Sequence, residues 1–536
     1  MTLAGRLLPG TAAILVALPM LAVLAAVLHG ATGADPELWE HLRSFVLPGV
    51  TRSTLVLVAG VVALSLILGV SLGWLTAACD FPGRGFFAWA LLLPLAMPAY
   101  VLAFVAVATL DYAGPVPSLL REWFGAGFTL PPIRSTGGVI AVLALAFYPY
   151  VYLLARGAFL THGTRALEAG QSLGLGPWAG FFRVALPLAR PWVAAGAALV
   201  AMETLADFGA VSVFNYDTFT TAIYKSWFGL FSLETALQLA LVLLALVAVA
   251  LAVEQLARGR ARYALAGAGA RPPARLRLRR RLALAATVYA TLVFALAFAL
   301  PALCLAVWAL EVAPLDLDAR YVAYVTRTLL LAGMAAVACA ALAVVLGWAV
   351  RAGGGWPARI AARAATLGYA VPGTVLAVGV VGALAAADLA WVALGATEGL
   401  WLQGTVLALL LGYVARFLAV AHGPVEGGLA RLKPSLAEAA RSFGLGRLAV
   451  LLRVQLPLLR AGIGTALLLV FVDVMKEMPI TLMTRPFGWD TLAVRVFEMT
   501  AEGEWRRAAL PSLVITLAGL VPVVLLTRRI EDASRG

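Results

Sequence analysis

The sequence predicts an all-α polytopic membrane protein of about twelve transmembrane helices arranged as two similar halves. Three observations predict it. Hydrophobic residues make up 62% of the 536-residue chain, charged residues only 12%, and the mean hydropathy is +0.95, which is about half the charge of an average soluble domain. The apolar residues gather into runs of about 20, long enough to cross roughly 30 Å of hydrocarbon as helices. A polar interruption of these runs also occurs twice. Glu168-Ala169-Gly170-Gln171-Ser172-Leu173-Gly174, continuing to Leu186-Pro187, returns 270 positions later as Glu438-Ala439-Ala440-Arg441-Ser442-Phe443-Gly444, continuing to Leu456-Pro457.

Each copy reads as two short helices joined by a turn, in which the glycine permits the turn and the proline starts the next helix. The repeat extends beyond these loops. Thr51-Arg52-Ser53-Thr54-Leu55 and Thr326-Arg327-Thr328-Leu329-Leu330 open corresponding spans, which close on Gly73-Trp74 and Gly347-Trp348. Pro98 and Pro372 fall at corresponding places in the following span. Proline inside a membrane helix frees a carbonyl that a neighbour or a wet cavity must satisfy, so both are expected as kinks, either beside a pathway or for packing alone. The first span, with Arg6 before it, has the outline of a signal peptide. Because 282–310 occupies the same place in the second half, where no signal peptide can stand, the first span is expected to be a retained helix. The predicted organisation is therefore a first half at 1–257 (core 51–256), a basic linker at 258–281 and a second half at 282–536 (core 325–527). Each half holds an even number of spans, so the two share one orientation about an axis along the membrane normal.

The net charge of +13 does not indicate nucleic acid, because the basic residues sit in short loops. With a cytoplasmic N-terminus, most of them fall on the cytoplasmic side, as the positive-inside rule expects. The linker arginines fix topology and are also able to meet anionic lipid. Cys79, Cys304 and Cys339 lie in or beside apolar runs without CxxC spacing, and His29, His41, His162 and His422 are scattered. Neither a disulfide, a metal site nor a catalytic constellation is read from them.

Four carboxylates stand where apolar residues are the rule. Glu203 and Asp207 are four apart, as are Asp473 and Glu477, and the pairs recur at the same 270-position offset. Residues at i and i+4 share a helix face, and a carboxylate at membrane depth costs about 2.5 to 3.5 kcal/mol, so each is expected to face a cavity or a partner. Two roles stand open: lining a translocation route, or internal pairing, for instance of Lys476 with Glu203 or Asp207.

The twin loops resemble the EAA loops of ATP-binding cassette importer permeases, and the resemblance covers nearly the whole chain. Gly170 replaces the third small residue of the pattern, usually Ala, by another small residue. The stretches Asp473 to Pro479, Arg485 to Ala493, Ala206 to Ala210 and Asp217 to Thr221 resemble the fused permeases of ferric-iron importers, to which thiamine and phosphonate permeases are similar. The resemblance implies the type I importer permease fold and a bacterial inner-membrane location with both termini cytoplasmic. It implies that Glu168, Ala169, Gly174, Pro187, Glu438, Ala439, Gly444 and Pro457 couple to a separate ATPase homodimer, and that an extracytoplasmic solute-binding protein delivers the substrate. ATP and Mg belong to that ATPase; the chain's three lysines, Lys225, Lys433 and Lys476, lack the Gly-Lys-[Ser/Thr] setting of a phosphate-binding loop. The competing class, an ion-coupled secondary transporter, also uses repeats and intramembrane carboxylates, but has no ATPase for twin loops to engage.

Overall fold

Why so many spans are interrupted follows from where the prolines and polar residues fall. The computed structural model describes residues 3–30, 32–33, 36–163, 175–258, 275–395 and 401–535. Among these, helix dominates, and the strand content is one parallel pair, Cys79–Asp80 with Leu276–Arg277. Ten helices are long and apolar enough to cross a membrane, or eleven when Arg447–Leu458 and Arg460–Lys476, bent by 75° at their junction, are taken as one span. The twelfth expected span is the helix Ala509–Arg535, whose apolar part Ala509–Leu525 is shorter than the rest.

Pro98 and Pro372 do not kink continuous helices. Each stands in an extended conformation (φ −57°, ψ 145° and φ −55°, ψ 142°) at the start of a new helix, Ala99–Leu110 and Gly373–Ala393. The residue before each is extended too, Met97 at ψ 121° and Val371 at ψ 130°, closing a short 3₁₀ turn at Leu93–Ala96 and Leu367–Ala370. The proline ring disfavours helical torsions in the residue that precedes it, so the span restarts rather than bends.

The packing divides into two compact units that draw on both sequence halves. In the first, Ala319–Arg351 packs against Val406–Arg431 and Arg460–Lys476. The opening helix Leu3–Gly30 belongs to this unit, lying along Gly355–Thr366 and Gly373–Ala393. A Cβ added at Gly379 would stand 2.6 Å from Val23 Cγ1, so the glycine is what lets these two backbones approach.

The second unit is built on Leu47–Ala78 packed against Thr136–Ala158 and Leu186–Ala206. Gly69 and Gly196 both abut Val151: a Cβ would lie 2.6 Å from its Cβ and 2.9 Å from its Cα respectively. The carbonyls freed where the third span breaks are taken up by tyrosines, with Tyr148 Oη donating to Leu91 O at 2.9 Å and Tyr152 Oη to Ala88 O at 3.0 Å. Ala286, Ala290 and Val293, from the opening helix of the second half, join this core. Membrane helices associate through such close contacts and buried hydrogen bonds rather than through a hydrophobic driving force.

Candidate coupling hairpin and broken-helix site

The second loop folds as the hairpin its spacing predicts. Helix Pro434–Ser442 carries Glu438 and Ala439, both exposed. It ends with Gly444 at φ +83°. Leu445 N donates to Ala440 O at 3.2 Å and Gly444 N to Arg441 O at 3.0 Å, the paired bonds of a Schellman ending that needs a left-handed residue. Phe443 and Leu448 flank the turn with relative exposures of 86% and 60%, so an apolar knob projects from a rigid turn. Glu168, Ala169 and Gly174 of the first loop lie outside the described residues.

The prolines after the two loops differ from the expectation that they begin a helix. Pro187 and Pro457 each follow five residues wound as π-helix, Phe181–Ala185 and Leu451–Gln455, and sit at the second position of the α-helical segment that continues from it. Proline has no N–H to donate to the preceding turn, and widening that turn absorbs the missing bond.

Both spans that follow break at a carboxylate, with nearly identical backbones. Leu186–Ala206 ends at Asp207 (φ −67°, ψ 127°) and Arg460–Lys476 ends at Glu477 (φ −71°, ψ 122°). Short helices restart immediately, Gly209–Val213 after Phe208 and Pro479–Thr484 after Met478. The first amides of a helix have no intrahelical acceptor, and these carboxylates supply one. Asp207 Oδ1 accepts from Val211 N at 3.0 Å, while Glu477 accepts from Ile480 N, Thr481 N and Thr481 Oγ1, each at 3.0 Å. Glu477 is 6% exposed.

Lys476, considered above as a partner of the first-half acids, lies 3.3 Å from Asp473 Oδ1 in its own helix. Beyond the breaks, each chain returns to the span that opens its repeat. Phe219 N donates to Thr54 Oγ1 at 3.4 Å, and Leu492 N to Thr328 Oγ1 at 2.9 Å. The second-half return is further braced by Arg485, bonded to Asp490 at 3.0 Å and Glu498 at 2.9 Å, with Arg495 on the other oxygen of Glu498 at 3.2 Å.

Two charged residues inside apolar runs were not singled out from the sequence. A Cβ on Gly373 would stand 2.9 Å from Arg416 Nη1 and 3.2 Å from Glu477 Oε1, so a guanidinium and the capping carboxylate converge on the glycine after Pro372. Asp388, fully buried, accepts from the amides of Trp401, Leu402 and Gln403 at 3.1 to 3.4 Å and pins the following loop. The available signal was a lone charge in each run. The first half has no counterpart of Arg416: the helices holding these positions both begin at a capping hydroxyl, Ser135 or Thr405, which fixes the 270-residue register and places Ala146 there. Among the described residues, no group of three or more His, Cys, Asp or Glu is placed to hold a metal ion.

Many membrane spans, helices that restart at matching carboxylates in both halves and an exposed hairpin between spans define a polytopic membrane protein built on a repeat. Comparison with known proteins gives the family. Residues 65–258 match the binding-protein-dependent transport system inner membrane component. A molybdenum transport system permease protein of Azotobacter vinelandii is 33% identical over 160 residues, 30% of this chain and 69% of that one. An Fe(3+)-transport system permease protein of Haemophilus influenzae is 25% identical over 481 residues, 89% of each chain. A sulfate transport system permease protein of Escherichia coli is 28% identical over 203 residues, 38% of this chain and 72% of that one. The chain belongs to the inner-membrane permeases of binding-protein-dependent ATP-binding cassette importers, and is of the fused kind that carries two permease halves. It is a transport subunit rather than an enzyme, with ATP hydrolysis on a separate subunit.

Proposed function

We propose that this permease forms the translocation route of an ATP-driven ferric-iron importer. The observation that carries the reading is the extent of the likeness. The Fe(3+)-transport permease aligns across both halves, whereas the molybdenum and sulfate permeases align with 30% and 38% of the chain. Their local identity favours oxyanion import as the second reading. Ferric ion is a hard cation that prefers oxygen ligands, and Glu203, Asp207, Asp473 and Glu477 offer carboxylates along the restarted helices.

In this reading the ATPase homodimer, which holds ATP and Mg, engages Glu168, Ala169, Gly174 and Pro187 in one loop and Glu438, Ala439, Gly444 and Pro457 in the other. The exposed Phe443 and Leu448 at the tip of the second hairpin supply the apolar contact, and the capped turn transmits force without yielding. An extracytoplasmic binding protein delivers the cargo, and both termini are cytoplasmic. The sequence halves 1–257 and 282–536, joined by the basic linker, are the repeated units of this machine.

The test is ATP-driven uptake into proteoliposomes holding this chain with its cognate ATPase. The cognate binding protein is loaded with ferric ion, molybdate or sulfate in parallel. Uptake of iron alone supports the reading, and uptake of molybdate or sulfate without iron refutes it.

A further inference from the structure

Behind the second hairpin lies a cavity of about 530 Å³. It sits where two spanning helices, Ala319–Arg351 and Val406–Arg431, end, and is therefore at a membrane boundary. Its wall carries three cations, Arg351, Lys433 and Arg441, against one carboxylate, Glu438. Arg441 turns its Nε to Ala437 O at 3.1 Å, leaving the rest of its guanidinium for another acceptor. The lining also holds Gln455 and hydrocarbon, including Leu436 and Leu458, which are 46% and 54% exposed. Phe443 and Leu448, at the hairpin tip, are not part of this lining. The cavity and the knob share the hairpin: Glu438, which the proposed function gives to the ATPase, stands at the cavity wall, while the apolar tip lies outside it.

We propose that this cavity binds the headgroup of an anionic phospholipid, with Arg351, Lys433 and Arg441 on the phosphate and the leucines against the start of an acyl chain. The volume lies within the range of small-molecule sites, about 300 to 1,000 Å³. Guanidinium groups hold phosphate through paired charged hydrogen bonds, and basic pockets at helix ends are the usual setting for such headgroups. A free phosphate would use the cations but not the leucine wall. The membrane-boundary position and the mixed lining therefore favour a lipid over a free anion.

The test uses the purified full-length chain in a neutral detergent. Dioctanoyl-phosphatidylglycerol, dioctanoyl-phosphatidylcholine and inorganic phosphate are titrated separately while thermal unfolding is followed, and native mass spectrometry counts retained lipid. Phosphatidylglycerol is expected to raise the melting temperature at concentrations at least tenfold below those at which the choline lipid acts. The combined Arg351→Gln, Lys433→Gln, Arg441→Gln variant should lose that preference. Arg351→Gln alone, which leaves the hairpin untouched, should weaken phosphatidylglycerol binding about threefold and serves if the combined variant does not fold. The charge-preserving Arg351→Lys, Lys433→Arg, Arg441→Lys variant should retain the preference. Equal response to both lipids, an equal shift with inorganic phosphate alone, or undiminished preference in either glutamine variant would overturn the proposal.

Discussion

Replacing Glu477 with Gln is the sharpest perturbation the structure offers. The carboxylate is 6% exposed, receives two amides and a hydroxyl at 3.0 Å, and shares the space above Gly373 with the Arg416 guanidinium. Glutamine keeps one acceptor oxygen and presents an NH₂ where a second acceptor is needed. Whichever way the amide turns, a donor meets a donor. Arg416 is half-buried and acts on the carboxylate only through its longer-range charge. The loss to expect is that of charge-assisted hydrogen bonds, about 1.5 to 3 kcal/mol. For a unit of this size that lowers the melting temperature by roughly 3 to 12 °C. The assay is thermal unfolding of the detergent-solubilised chain, alongside uptake in proteoliposomes. Asp207→Asn is the internal comparison: Ala146 stands at the arginine's position and the carboxylate accepts from the Val211 and Ala210 amides, so a loss of about 1 to 3 kcal/mol is expected. A Glu477→Gln protein that melts within about 2 °C of the parent yet fails to transport would refute the capping argument.

Gly444→Val forces a β-branched residue to φ +83°, where no atom lies within 4 Å of the added Cβ. The cost is therefore backbone strain of about 1 to 2 kcal/mol rather than a clash. Permease-stimulated ATP hydrolysis should fall while membrane insertion stays normal, and full coupling in the Gly174→Val, Gly444→Val double variant would remove the coupling assignment. Thr328→Val deletes the acceptor of the Leu492 amide, a 2.9 Å bond at a site 2% exposed, and should cost about 1 to 3 kcal/mol by thermal unfolding. Thr54→Val, where the bond is 3.4 Å, should cost less. A cysteine at Gly446 should resist impermeant thiol reagents added to intact cells, and labelling from outside would reverse the proposed orientation.

The parts of the fold carried by periodic patterns could be read from the sequence. Apolar runs set the spans, and duplicated spacing set the repeat and the second hairpin, because a glycine with φ > 0 and a fixed polar register leave a local signature. Contacts distant in sequence left none. Pro98 and Pro372 were visible, but which groups take up the carbonyls freed in the third span depends on Tyr148 and Tyr152 reaching them from another span. Arg416 was legible only as an isolated charge, and its meaning required knowing that Gly373 and Glu477 lie beside it. That Leu3–Gly30 packs with the second half's helices also follows from complementary surfaces such as Gly379 against Val23, which no pattern within one segment announces.

The recurrence of the carboxylate pairs therefore needs dividing. Asp207 and Glu477 recur because a restarted helix needs an acceptor for its first amides, and the matched torsions at the two breaks show the same solution reached with side chains of different length. Their repetition is explained without any cargo. Glu203 and Asp473 lie one turn before the breaks, and an acid maintained at membrane depth requires a reason. If these two carry the charge of the route, Glu203→Gln should slow iron uptake severalfold while the protein still inserts and engages its ATPase. Asp473→Asn should do the same to uptake, with a modest loss of stability from the Lys476 contact at 3.3 Å. Unchanged uptake in the Glu203→Gln, Asp473→Asn double variant would take the acids out of the pathway altogether and leave a route lined by neutral side chains, as an oxyanion would require.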